Sequence, residues 1–514
     1  MAAALSFEIL TLGITLSTMF IHGKKSLWAA ALLFALIFGV LFSLRIGLFR
    51  RDAEQDRMAA FSAAENFADK NVWMNIFQGD RKIGFSHASY TRTTEGFRFN
   101  ETVFMRINTM GMVQDISLKS NGLLHADFSL ASFAFAVSSG RFDFTAQGKV
   151  TDTALSLQTG APGSMQSLTI PLQEKIYFTS GIVQAASAAD LNPGDRMTLR
   201  VFDPMALGQE SIILSVLGHE DIQIMGRTLP TTKISLQFKG STQLAWIDAN
   251  GDILKETGML GISLEKTTRE DAMYGLPIGP SQDLTDMASI PANIDIRNPE
   301  ALSILKAQIT GITDEEVDLH GRRQTYIDGL LTVRRESLKK LPANINWNVR
   351  RWSKNPYLDA SPFIQSHHPA IIKLVTDITA QEDAPLAKAR KIMAWIDKNI
   401  KKRPVLSLPD ALSTLENRIG DCNEHAVLFA AMARAAYIPA RVEAGLVYLN
   451  GRFFYHAWNL LDLGRGHWIT ADALFNQIPA DVTHIRLTSG AQEDQLNIMG
   501  LIGKLGITLL DGTE

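Results

Sequence analysis

From Val72 to about Ala272, apolar and polar side chains alternate in short runs broken by Gly, Asn and Asp. Lys82–Ala88, Phe97–Val103 and Lys233–Lys239 are examples, and in the last Ile234, Leu236 and Phe238 share one face. A period of two with recurrent turn residues predicts an antiparallel sheet or barrel, here a β-rich domain over residues 70–275. Within it Ala245–Leu254 reads as a hairpin, with Asn250-Gly251 suited to a tight primed turn. Four prolines between residues 276 and 299 predict a boundary. A second domain is then expected over 300–510. It opens with strand-like runs at Ser303–Ile312 and Gln324–Arg334 and turns helical from Pro369. Leu386, Ala389, Ile392, Met393, Ile396 and Ile400 form a helical stripe, and Ala411–Ile419 predicts another helix.

The N-terminal fifty residues follow neither period. Ser26–Leu44 runs for 19 residues without a charge, about 28 Å as a helix, which matches a bilayer core. Ala2–Ile21 is also apolar but contains Glu8, and His22-Gly23-Lys24-Lys25 separates the two. Residues 1–50 therefore predict a membrane anchor of one or two transmembrane helices, with 52–68 as a short polar helix. A cleaved signal peptide fits less well, because no basic region precedes the apolar run. Lys24 and Lys25 place their loop in the cytoplasm, whereas Arg45, Arg50 and Arg51 argue the reverse. The expected location is the inner membrane with the main body in the periplasm, on a charge rule that is split.

Composition narrows the chemistry. Net charge is −3, and no Lys/Arg block with interleaved aromatics occurs, which sets nucleic acid aside as a partner. The single cysteine, Cys422, excludes an intramolecular disulfide and is either a small buried hydrophobe or a reactive group. A zinc site can be sketched from Cys422, His425, His456 and His467, but there is no second cysteine and no His-Glu-x-x-His pair. No Gly-rich phosphate loop and no dense acidic calcium loop is visible, so no cofactor or metal is expected.

Gly420-Asp421 precedes a strong helix former, Val427–Ala436, and reads as a turn and N-cap. Cys422 then falls in the first helical turn, where unpaired N–H groups and the helix dipole favour a thiolate. Asp421 and Glu424 are expected to serve the helix start. Beyond Pro439, Ala440–Leu449 predicts a strand, Asn450-Gly451 a hairpin turn, Arg452–Leu460 a strand holding His456, and His467–Asp472 a third strand ending in an acid. Neighbouring antiparallel strands can set Asp472 beside His456, and the helix start can bring Cys422 to the other ring nitrogen. Cys422 as nucleophile, His456 as base and Asp472 as orienting acid would form a catalytic triad.

Roughly residues 385–486 resemble the transglutaminase-like superfamily, particularly its bacterial members. The matching pieces are Gly420-Asp421-Cys422-x-Glu424, Ala433-Arg434-Ala435 with Ile438-Pro439-Ala440-Arg441, Tyr455-His456-Ala457-Trp458, and Trp468–Asp472 followed by Gln477. The resemblance implies an α+β papain-like core, with the nucleophile's helix packed on an antiparallel sheet. It also implies acyl transfer from an amide by Cys422, His456 and Asp472: peptide hydrolysis, deamidation or transamidation of a protein or peptide substrate. Many relatives carry Asp-Pro-Thr where this chain has Asp472-Ala473-Leu474, a departure expected to alter only the local turn. The backbone N–H of Cys422 is the natural oxyanion donor. The competing expectation is a non-catalytic envelope scaffold or binding module that holds an envelope protein partner with its β-rich domain.

Overall fold

The computed structural model describes residues 68–513, apart from 141, 161–164, 189–191, 276–280, 313–316, 342–354, 465, 491–496 and 512. The expected transmembrane segments and all but the last residue of the polar helix at 52–68 lie outside the described residues, among which no helix is long and apolar enough to cross a membrane.

The alternating region forms one antiparallel sheet of fourteen strands, β1 (Lys70–Gln78) to β14 (Ile262–Thr267). The chain meanders from β1 out to β8 (Gln166–Pro171), crosses to β9 (Arg196–Asp203), and meanders back until β14 pairs with β1. The crossing segment binds the two arms together. Leu130 N–H donates to Ile176 O, Tyr177 N–H to Arg200 O, and Phe202 N–H to Tyr177 O. One stretch departs from the expected alternation. Thr179–Ala188 is a helix, α1, whose Ile182, Val183, Ala185 and Ala186 are buried. Its small residues lack the period-two pattern that marks the flanking strands.

The later residues build two smaller sheets and a helical layer. One sheet holds β15 (Ile304–Thr310), β16 (Gln324–Ile327), β17 (Leu330–Arg334) and, from the far end of the chain, β22 (Gly506–Leu509). The other centres on β18 (Ala440–Leu449) and β19 (Arg452–Asp462), flanked by β20 (Trp468–Ala471) and β21 (Ile485–Gly490). Leu449 pairs with Arg452 across Asn450-Gly451, both at positive φ (48° and 82°), as a two-residue primed turn requires. Helices α2 (Pro369–Thr379), α3 (Pro385–Asn399) and α4 (Ala411–Asn417) pack against α5 (Cys422–Ala435), which itself packs on this sheet, around one apolar core. Every residue of α5 from Glu424 to Ala433 is buried, so this helix is the pillar of that core and carries little polar surface.

The Asn250-Gly251 pair behaves differently from its twin. The loop there spans Asp248–Asp252, with Gly251 alone at positive φ (72°), because the Asp248 carboxylate accepts from the N–H groups of Asn250 and Asp252 and widens the turn. The expected two-residue turn is thereby corrected.

Candidate active site

The start of α5 is built by a reciprocal pair. Asp421 Oδ1 accepts from Asn423 N–H at 2.9 Å, while Glu424 Oε2 accepts from Asp421 N–H at 2.9 Å. This capping box satisfies helix-end donors and fixes where the first turn begins. A side chain at position 420 would obstruct it, since a Cβ on Gly420 would lie 2.3 Å from Glu424 Cβ. Asp421 and Glu424 thus serve the helix start as the spacing predicts, and Cys422 is its first residue.

Strand β19 runs beneath that helix end. His456, 7% exposed, donates from Nε2 to Asp472 Oδ2 at 2.6 Å. Because an ionised carboxylate only accepts, Nε2 carries the proton and Nδ1 is left as the basic nitrogen. Asp472 stands one residue beyond β20, and its Oδ1 accepts from the N–H groups of Leu474 (2.7 Å) and Phe475 (2.9 Å). Neither donor belongs to residue 473, so the Ala in place of Pro leaves the carboxylate's anchorage intact. Phe475 stacks on the His456 ring at 5.0 Å and Trp458 flanks it at 6.1 Å, which confines the imidazole plane.

Two further residues join this cluster. His484 Nε2 lies 2.9 Å from the same Asp472 Oδ2, and its Nδ1 lies 3.3 Å from Asp481 Oδ1. A neutral imidazole has one N–H, so donating to both carboxylates requires the imidazolium. Burial works against that charge, yet the two carboxylates raise the His484 pKa above its ordinary value. Burial alone would likewise raise Asp472 and Asp481, but the imidazoles hold both well below the usual carboxylate range. Two carboxylates and one imidazolium leave one negative charge over. Position alone did not single out His484 and Asp481. Asp481-Val482-Thr483-His484 is an ordinary loop-to-strand sequence, and its only signal is an acid and an imidazole three residues apart.

Cys422 is half-buried and packs at the edge of the apolar core. The thiol is not poised as the helix dipole alone suggests. Burial first, then the Asp421 carboxylate, pushes its pKa well above the ordinary value, while a backbone hydrogen bond from Ala457 pulls the other way. The expected lowered pKa is thus corrected: burial, and after it the capping acid beside the thiol, raise it. Ala457 follows His456 directly, so the same strand approaches both the sulfur and the carboxylate.

A cavity of about 400 Å³ flanks this helix, lined by Asn423, Val427, Tyr357, Arg434, Arg441 and Leu168–Ile170 of β8, among others, but not by Cys422 itself. The arginines bordering it are occupied: Arg434 donates to Ala440 O and Asp359 O, and Arg441 to the Tyr357 hydroxyl. Of the sketched zinc ligands, only His456 falls in a metal-sized grouping among the described residues, with Asp472 and His484. There both Nε2 atoms already converge on Asp472 Oδ2, so a cation would have to displace two buried hydrogen bonds.

Residues 372–473 match the sequence profile of the transglutaminase-like superfamily, about a fifth of the chain. The match spans Cys422, His456 and Asp472 and stops short of Asp481 and His484. No curated protein matches the chain. Among solved structures the chain is similar to a β-barrel-like protein of a domain of unknown function from Brucella abortus, at 11% identity and a TM-score of 0.31, over 39% of this chain and 97% of that one. A candidate cysteine protease from Cytophaga hutchinsonii shows 18% identity and a TM-score of 0.25, over 40% and 81%. The periplasmic domain of TgpA from Pseudomonas aeruginosa, bound to ethylmercury, shows 16% identity and a TM-score of 0.23, over 37% and 94%. At these scores the overlaps define neither fold nor function. The segment is therefore transglutaminase-like, and its profile supports a general thiol-enzyme family.

Proposed function

We propose that the protein is a membrane-anchored thiol enzyme that acts on amide bonds of a protein or peptide. In this reading Cys422 attacks the carbonyl, His456 Nδ1 takes the thiol proton, and Asp472 holds the imidazole and balances its charge. The proton then passes to the leaving amine, and water or an amine releases the acyl group from sulfur. The observation that carries the reading is the buried 2.6 Å bond from His456 Nε2 to Asp472, next to the strand residue that hydrogen-bonds the Cys422 sulfur. A raised thiol pKa implies that proton transfer accompanies attack, in place of a standing thiolate–imidazolium pair. Hydrolysis is favoured over cross-linking, because no acceptor-amine site is evident in the sequence. The N-terminal segments would hold the body at the inner membrane, facing the periplasm.

The raised thiol also favours one competing reading, a binding module that retains an inert cysteine. Mass spectrometry after exposure to a peptidyl vinyl sulfone separates the two. An enzyme labels at Cys422 in the folded protein and loses labelling in His456→Ala. An inert thiol labels faster after unfolding and ignores the substitution.

A further inference from the structure

The fourteen-stranded sheet contains a second cavity, of about 410 Å³, between one sheet face and α1. Strand register aligns its wall. Val72 lies opposite Ala88, Ala88 opposite Glu101, Glu101 opposite Ser120, and Ser120 opposite Phe135, a single row across five strands, all lining the space. The volume falls in the range of small-molecule sites, and the wall is mainly apolar. One end is not. Gln184 of α1 is 5% exposed, and its Oε1 has no hydrogen-bond partner. Glu256 of β13 (Ile253–Thr257) is half-buried and borders the same space, with Glu101 close enough to perturb it. Burial, reinforced by Glu101, pushes the Glu256 carboxyl up to about 7. Lys70, also on the wall, is held by Asp252 at 3.1 Å and by the carbonyls of Asn250 and Gly251. Asp203 is matched by Lys239 at 2.8 Å.

We infer that this cavity is a binding site for an amphiphile with an apolar chain and a cationic, hydrogen-donating head, the head meeting Gln184 Oε1 and the Glu256 carboxylate. A buried acceptor without a donor is unfavourable, and an ammonium supplies three donors and the charge that ionises Glu256. An anionic head would meet a second acid and an acceptor instead. The site is independent of Cys422 and its chemistry.

The test uses the full-length chain in lipid nanodiscs, titrated with octylammonium, octanoate and octanol, and followed by hydrogen exchange at Thr179–Ala188 and Ile253–Thr257. Octylammonium is expected to protect both segments, octanoate at least about tenfold more weakly, and Glu256→Gln to weaken octylammonium by about tenfold or more, the scale of a charged hydrogen bond. Gln184→Leu provides the same comparison should Glu256→Gln disturb exchange elsewhere in the sheet. Equal protection by octanoate or octanol, unchanged octylammonium binding in the folded variants, or no protection below the concentration that disrupts the bilayer would each overturn the inference.

Discussion

Replacing His484 with Gln tests whether this buried ring is a cation. In the wild type its two nitrogens face Asp472 at 2.9 Å and Asp481 at 3.3 Å, and it is 0% exposed. Gln keeps much of the volume but removes the charge, so one net negative charge in the cluster becomes two. Removing one member of a buried ion pair costs about 3–5 kcal/mol, because the remaining charge is left uncompensated. Asp472 keeps His456 and two backbone donors, and Asp481 keeps Thr483, which places the expected loss near the lower limit, about 3 kcal/mol. The sign with pH follows from the raised His484 pKa. Its stabilisation is fully present below the unfolded value near 6.5 and fades as pH rises through the folded value. The depressed carboxylates act oppositely, contributing above about pH 4 and fading as pH falls through their folded values. Urea unfolding of wild type and His484→Gln from pH 4 to 9 should therefore show the widest gap near pH 5–6.5, narrowing at alkaline pH. A gap below about 1 kcal/mol, or one constant across that range, would refute the imidazolium assignment.

Asp421→Asn keeps a good N-cap and removes the carboxylate nearest the thiol, so iodoacetamide alkylation of Cys422 should shift to lower pH while the unfolding midpoint changes little. Gly420→Ala drives a Cβ into Glu424 and should lose the capping box, lowering stability by about 1–2 kcal/mol in urea unfolding.

The sheet was readable because its strands alternate in polarity, and Asp421 as cap was readable because capping uses residues within one turn. The two Asn-Gly pairs show where local chemistry stops being sufficient. Asn450-Gly451 forms the expected two-residue turn, while Asp248, two residues upstream of Asn250, captures the other pair into a wider loop. The helix Thr179–Ala188 was hidden among strands because its small residues carry neither period strongly. His484 was invisible for a different reason. Its meaning lies in Asp472, twelve residues away across a loop, and no local pattern reports which carboxylate a buried ring will meet. The thiol pKa departs from the expected direction because tertiary packing buries the sulfur, and because the same Asp421 that begins the helix also places negative charge beside it.

The most direct measurement is burst acylation by p-nitrophenyl acetate at pH 7, comparing wild type with His456→Ala and Cys422→Ser. A thiol enzyme releases one nitrophenolate per chain in the burst, forms a thioester on Cys422, and loses the burst in Cys422→Ser. His456→Ala should acylate about 10²–10⁴-fold more slowly, the usual contribution of a general base. No burst from the wild type, or equal rates with and without His456, would contradict a catalytic role for the pair.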